Sequence, residues 1–113
     1  MNSSKDQKQI ELKITEMVRR IFDGFGPEQI ILFGSFENGT ENADSDVDLL
    51  VVMRITTSRR KQAAEIDLKL VDIGLPKDVI VVTLEEVEKY RDIIGSIIYP
   101  ALREGKVLYK RAA

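Results

Sequence analysis

Apolar and polar positions follow two different periods along this chain, and the period changes from one segment to the next. In the first segment, apolar residues recur every three or four positions, at Ile10, Ile14, Met17, Val18 and Ile21. This spacing is typical of an amphipathic helix, and it predicts a helix from Lys5 to Asp23. Gly24 and the pair Gly26-Pro27 end the pattern, as a glycine cap followed by proline does.

Three short runs are almost entirely apolar, which is typical of strands buried on both faces of a sheet. These runs are Gln29 to Phe33, Val47 to Met53 and Asp78 to Val82. β-branched residues dominate the third run, which further favours a strand. A shorter run, Val107 to Tyr109, predicts an edge strand.

Helical spacing returns between and after these runs. It predicts a helix from Arg59 to Ile73, one that follows Thr83 as N-cap and ends at about Asp92, and one over Ile93 to Glu104 that Pro100 interrupts. The resulting order is α-β-β-α-β-α-α-β. It predicts one domain over residues 1–113 of the α/β (α+β) class, a small mixed β-sheet flanked by helices.

Cysteine and histidine are both absent from the 113 residues. Their absence excludes disulfides, thiolate and imidazole metal sites, and catalysis by Ser-His-Asp or Cys-His groups. Any metal must be held by oxygen atoms, which favours magnesium, manganese or calcium. The net charge of −2 gives no general attraction to nucleic acid. A polar N-terminus without a long apolar run predicts a cytoplasmic protein that does not enter the membrane.

Carboxylates stand at the starts of two of the predicted strands. Asp46 and Asp48 are two residues apart in an extended segment, so their side chains point the same way. Asp78 begins the third strand and comes level with them if that strand lies beside the second. Three carboxylates at one sheet edge repel one another unless a cation lies between them. Each alone is also compatible with a solvated turn.

Two other observations define this candidate site. A calcium loop is excluded, because Leu49 and Ile55 stand where that loop needs glycine and glutamate. Gly34-Ser35 ends the first strand, and Gly39 allows a second tight turn, so a phosphate can approach the backbone here. The combination predicts metal-assisted phosphoryl or nucleotidyl transfer with two ions.

Gly34-Ser35, ten further residues and then Asp46-Val47-Asp48-Leu49 resemble the signature of the DNA polymerase β-like nucleotidyltransferase superfamily. The short length and the ending Glu104-Gly105-Lys106-Val107-Leu108-Tyr109 are similar to its minimal nucleotidyltransferases (MNT), including MNT antitoxins. The resemblance implies a polymerase β-like fold that uses two Mg²⁺ ions and ATP and transfers AMP to a hydroxyl acceptor. It implies that Gly34, Ser35 and Gly39 bind the phosphates, and that Asp46, Asp48 and Asp78 hold the metal and catalyse transfer. The implied partner is a helical HEPN toxin.

The chain departs from the pattern in one respect. Many relatives carry arginine just before the glycine that is Gly39 here, whereas this chain has Glu37-Asn38. The missing cation must be supplied by Arg54, Arg59, Arg60 or Lys61, or triphosphate binding is weak. The basic residues of this group that begin the second helix are alternatively a solvated helix end.

The alternatives to a protein-modifying enzyme are a binding module that neutralises a HEPN partner by contact, and a small-molecule nucleotidyltransferase. A homo-oligomer is compatible with the pattern as well. The apolar group Ile97-Ile98-Tyr99-Ala101-Leu102 fits a core, a dimer contact or a partner contact.

Overall fold

The computed structural model describes residues 3–33 and 47–112, with side chains from residue 8 onward. Within these residues the chain forms four helices and four strands. The helices are α1 (Ser3–Phe25), α2 (Arg59–Lys69), α3 (Leu84–Tyr90) and α4 (Ile98–Glu104). The strands are β1 (Gln29–Phe33), β2 (Val47–Val52), β3 (Lys77–Val82) and β4 (Lys106–Lys110). The predicted order of elements is confirmed.

The four strands form one mixed sheet with the order β3-β2-β1-β4. β1 is antiparallel to both β2 and β4, whereas β2 and β3 are parallel. A parallel pair needs a crossover connection, and α2 provides it here. β4 lies at one edge of the sheet, as its short, half-polar sequence predicts.

Helices cover both faces of the sheet. On one face, α1 and α2 contribute residues such as Met17 and Ile66 to a core that includes Leu49 and Val51 of β2. On the other face, Val87 of α3 and residues of α4 pack against the alternate side chains of the same strands. Because successive side chains of a strand point to opposite faces, β2 is apolar throughout except at Asp48.

Local capping explains where several helices begin and end. Gly26, with φ of 56°, follows α1 in the left-handed conformation that glycine adopts at no steric cost. Ser58 caps α2 by accepting a hydrogen bond from the Lys61 amide. Thr83 and Glu86 form a reciprocal capping box at the start of α3.

Two helix predictions need correction. The second predicted helix ends at Lys69 rather than Ile73, although Ile73 remains buried in the core. The predicted helical piece from Ile93 to Glu104 begins only at Ile98, because residues 91–97 form turns. The Ser96 hydroxyl donates to the Ile93 carbonyl and accepts from an amide in the new helix, so it stabilises a turn at this point.

Pro100 does not interrupt a long helix. It lies within the first turn of α4, where the missing amide hydrogen has no intrahelical partner to lose. No helix among the described residues has both the length and the apolar character needed to cross a membrane.

Candidate functional site

Two carboxylates lie side by side at one end of the sheet. In the parallel pairing of β2 and β3, Asp48 is directly level with Asp78. In the antiparallel pairing on the other side, Asp48 is level with Phe33, the last residue of β1. Neighbouring strands are about 4.8 Å apart. The backbone therefore brings together residues that are thirty positions apart in sequence (48 and 78).

Both side chains lie on the same face of the sheet. Asp48 is two positions before Leu50 in β2, and Asp78 is two positions before Ile80 in β3, so each pair shares a face. Both apolar residues pack in the cluster beneath α3 and α4. Phe33 packs against the same cluster. This arrangement bears out the expectation that β3 lies beside β2 with Asp78 level with Asp48.

The donor chemistry of this pair fits a magnesium ion. Carboxylate oxygens are the hard ligands that magnesium prefers, and the chain has no histidine or cysteine to compete. Within residues 3–33 and 47–112, no three acidic side chains converge on a common metal position. The described part of the candidate centre therefore consists of Asp48 and Asp78.

Four of the predicted site residues lie outside the described residues: Gly34, Ser35, Gly39 and Asp46. The described chain leaves β1 at Phe33 and re-enters the sheet at Val47. Since Phe33 is paired with Asp48, both of these points are at the carboxylate end of the sheet.

The cations considered as substitutes for the missing loop arginine lie at the other end of the sheet. β2 carries the chain about 13 Å from Asp48 to Val52, at about 3.3 Å per residue, and Arg54 lies beyond that end. Arg59, Arg60 and Lys61 form the first turn of α2, which also begins there. The length of β2 therefore separates these residues from Asp48.

Arg59 has a structural partner instead. Its guanidinium binds both carboxylate oxygens of Glu86, at 2.7 and 2.5 Å, and also donates to the Val81 carbonyl at 2.8 Å. Hydrogen bonding to Arg59 lowers the pKa of the Glu86 carboxyl below its usual range. Arg59 therefore ties the start of α2 to α3. The start of α2 is nevertheless exposed at Arg59, Arg60 and Lys61, as the alternative of a solvated helix end predicts.

Two lysines do lie at the carboxylate end, but on the opposite face. Lys77 precedes Asp78, so its side chain points the other way, and its Nζ is 3.8 Å from Asp67 of α2. Lys106 is paired with Leu32, whose side chain belongs to the core beneath α1 and α2.

Sequence reasoning missed a cavity on the carboxylate face. It has a volume of about 260 Å³ and lies between β3 and the segment that joins α3 to α4, with Ile80, Val82, Tyr90, Ile97 and Ile98 among its lining residues. The apolar group at residues 97–102 was the sequence feature that could have indicated this cavity. In the structure, its members have two different surroundings. Ile98 and Ala101 are buried in the core, whereas Ile97 is 45% exposed at the cavity.

Two larger depressions, of about 430 and 480 Å³, lie at the opposite end of the sheet. They share Glu28, Met53 and Arg54, and Glu28 is ion-paired with Arg111 at 3.1 Å. Their lining mixes both signs of charge and lies a strand length away from Asp48. We therefore assign the candidate site to the carboxylate end.

Comparison with known proteins shows the family and the fold of the chain. The sequence profile of the nucleotidyltransferase domain matches residues 12–101, from within α1 to within α4. No curated protein sequence matches the chain. Among solved structures, a candidate nucleotidyltransferase from Sulfolobus solfataricus has a TM-score of 0.65 at 21% identity, with 98% of this chain and 90% of that chain covered.

Two toxin–antitoxin structures are also similar. One, solved with AMP-PNP, has a TM-score of 0.53 at 25% identity, over 89% of this chain and 73% of that chain. The other, a mutant of the MntA–HpeT toxin–antitoxin, has a TM-score of 0.52 at 22% identity, over 85% and 72%. The resemblance that Gly34-Ser35 and Asp46-Val47-Asp48 predict is confirmed, and so is the predicted fold class.

Proposed function

The chain belongs to the nucleotidyltransferase domain family, and we propose that it transfers AMP from ATP to a hydroxyl of a partner protein in a magnesium-dependent reaction. We propose further that it serves as the antitoxin of a toxin–antitoxin pair. The observation that carries the proposal is the direct pairing of Asp48 with Asp78 on one face of the sheet. A fold that brings two carboxylates together gains most from them when a cation is bound between them.

In the proposed reaction, the acceptor oxygen forms a bond to the α-phosphorus of ATP, and the bond from that phosphorus to the bridging oxygen breaks. Pyrophosphate leaves, and the hydroxyl proton passes to a carboxylate, for which Asp78 is the proposed base. Asp46, Asp48 and Asp78 would hold the metal, while Gly34, Ser35 and Gly39 would contact the phosphates. When bound, magnesium supplies positive charge that stabilises the developing negative charge on the phosphate oxygens.

The nature of the acceptor is proposed from the similar proteins. Two of the similar structures are toxin–antitoxin structures, and one of them was solved with an ATP analogue. A helical HEPN toxin is the partner that the MNT resemblance implies. Nucleic acid is not proposed as the acceptor, because the net charge of the chain is −2.

A second candidate function is neutralisation of a toxin by contact, without transfer. It is favoured by the position of Arg54 and the basic start of α2, which lie at the end of the sheet away from Asp48. With Asn38 in place of the usual arginine, triphosphate binding would then depend on other groups.

The test is transfer of label from α-labelled ATP, with magnesium, to the protein encoded beside this chain's gene. We expect label on that protein with the wild type, and none with the double variant Asp48→Asn, Asp78→Asn. Asp92→Asn, a change of an exposed aspartate in the turn after α3, is the matched control and should transfer label normally. Equal, negligible transfer by the wild type and the double variant, with the toxin still neutralised by both, would favour the contact-only function.

A further inference from the structure

The cavity between β3 and the α3–α4 connection lies on the same face of the sheet as the paired carboxylates. Its floor includes Ile80 and Val82, which follow Asp78 along β3 by two and four positions. Residues two positions apart on a strand point the same way. The floor therefore continues directly from the candidate centre.

Strand geometry gives the distance between the two. At about 3.3 Å per residue, Ile80 is about 7 Å from Asp78, and Val82 is about 13 Å from it. A molecule whose reacting hydroxyl lies beside Asp78 therefore reaches the cavity with groups about 7 to 13 Å from that hydroxyl.

Three of the polar side chains at the cavity already have partners. The Ser96 hydroxyl donates to the carbonyls of Tyr90 and Ile93 and accepts from the Tyr99 amide. Arg59 and Glu86 bind each other through two hydrogen bonds. Most of the remaining lining is aliphatic, formed by Ile80, Val82, Ile97 and Ile98. An aliphatic side chain matches such a surface, whereas polar atoms placed against it lose hydrogen bonds to water.

The mouth of the cavity also favours an apolar occupant. Ile97 lines the cavity and is 45% exposed. It lies in the turns before α4, where its side chain can cover an occupant. Burial of one large aliphatic side chain against such a surface stabilises a complex by about 1.5 to 3 kcal/mol.

We propose that this cavity selects the acceptor: it takes a bulky apolar side chain from the protein segment whose hydroxyl receives AMP. This inference rests on the proposed function. An extended peptide covers about 3.3 to 3.6 Å per residue, so the apolar residue lies two to four positions from the hydroxyl residue. Ile80 and Ile97 are the specificity-determining residues.

The binding part is tested without nucleotide. Glycine-rich peptides carrying one serine and one leucine, two to four positions apart, are titrated into methyl-labelled full-length protein, beside matched peptides with alanine for leucine. We expect the leucine peptides, and not the alanine peptides, to shift the methyl resonances of Ile80, Ile97 and Ile98. Ile66, in the core on the other face, should not respond. Equal effects of the two peptides would overturn the proposal.

AMP-PNP with magnesium forms a separate arm of the same titration. It should leave the methyl resonances of Ile97 and Ile98 unchanged, since the nucleotide is not the proposed occupant, whereas Ile80 is two residues from Asp78 and should respond to nucleotide bound there. Shifts of Ile97 and Ile98 with AMP-PNP and magnesium in the absence of peptide would identify the cavity as a base-binding site and overturn the proposal.

The kinetic part measures AMP transfer to the same peptides. We expect the leucine peptide at the best spacing to have a KM at least about tenfold below that of its alanine counterpart, from burial of one side chain, with similar kcat. Ile97→Ala should remove most of this difference. Ile94→Ala is the matched control, because Ile94 is an isoleucine of the same connection that is 77% exposed and does not line the cavity.

The two parts separate failure of this inference from failure of the proposed function. Leucine-dependent methyl shifts without AMP transfer to any peptide would count against the enzymatic function, and would leave peptide binding at the cavity. AMP transfer that does not distinguish leucine from alanine would overturn the selection of the acceptor and leave the enzymatic function.

Discussion

At the scale of single residues, the pairing of Asp48 with Asp78 sets two negative charges on adjacent strands. Like charges directly across a sheet destabilise it by about 0.2 to 1 kcal/mol. Asp78→Asn removes one charge with little change of shape, so we expect it to raise the free energy of unfolding by about that amount without magnesium. The measurement is urea denaturation in the presence of a chelator.

Asp92→Asn is again the control, and it should not reproduce the gain. If Asp78→Asn is less stable than the wild type in the presence of the chelator, this carboxylate supports the fold rather than a bound cation.

The contribution of Glu16 to the stability of the fold should depend on pH. Hydrogen bonds from Arg19, and next from Arg20, lower the pKa of the Glu16 carboxyl to about 2 from an ordinary 4.5. As pH falls, the unfolded chain therefore takes up this proton first. The stability that Glu16 contributes is present above about pH 5 and is lost progressively toward pH 2.

We expect Glu16→Gln to unfold at lower urea concentration at neutral pH, but to lose less stability than the wild type between about pH 5 and pH 2. Arg19→Gln removes the largest cause of the shift and should flatten the same part of the profile. Urea midpoints measured across this range test both variants. Parallel profiles for wild type and Glu16→Gln would refute the assignment.

At the scale of elements, the junction of α4 with β4 depends on close backbone approach at Gly105. A Cβ atom added there would clash with the carbonyl oxygen of Ala101 and lie 2.6 Å from Cγ2 of Ile31. We expect Gly105→Ala to destabilise the protein by about 1 to 3 kcal/mol, the range for overpacked sites. Gly95→Ala is the matched control, because a Cβ there has no atom within 4 Å.

Thermal or urea denaturation of the two variants gives the comparison. If Gly105→Ala is as stable as Gly95→Ala, then α4 and β4 can separate without cost, and the packing of α4 over β1 is not rigid.

The sequence predicted the strands closely because the signal for a strand buried on both faces is local. β1 has the predicted bounds, β2 ends one residue earlier at Val52, and β3 begins one residue earlier at Lys77. An apolar run between polar residues specifies such a strand without reference to the rest of the fold.

The helices of the second half were predicted less well, because their limits depend on side-chain contacts. Helical spacing of isoleucines continues through residues 93–97, but Ser96 stabilises turns there through bonds to nearby backbone groups. The partner of Arg59 was likewise not predictable. Glu86 lies 27 positions away, and the two meet only because α2 crosses from β2 to β3.

Over the molecule as a whole, the length of β2 separates the paired carboxylates from Arg54 and the basic start of α2. The carboxylates lie where β2 and β3 begin, whereas Arg54 and the basic start of α2 lie where β2 ends. The sequence indicated these residues as candidate ligands of a metal or a phosphate. It could not show at which end of the sheet each would lie, because contacts distant in sequence set the strand order. The pairing of Asp78 with Asp48 could be predicted only if β3 was assumed to lie beside β2.

Magnesium should stabilise the whole protein if it binds between the paired carboxylates. An ion that binds only the folded state adds about 2.7 kcal/mol at a hundredfold excess over its dissociation constant, so the melting temperature should rise with magnesium concentration. Salt screens surface charge as well, so potassium chloride of equal ionic strength is the required comparison. Asp48→Asn and Asp78→Asn should each reduce the magnesium-specific part of the rise, because each removes one proposed ligand. Asp92→Asn should retain it. The same rise in potassium chloride, or an undiminished rise in the double variant, would place the effect of magnesium elsewhere than at this end of the sheet.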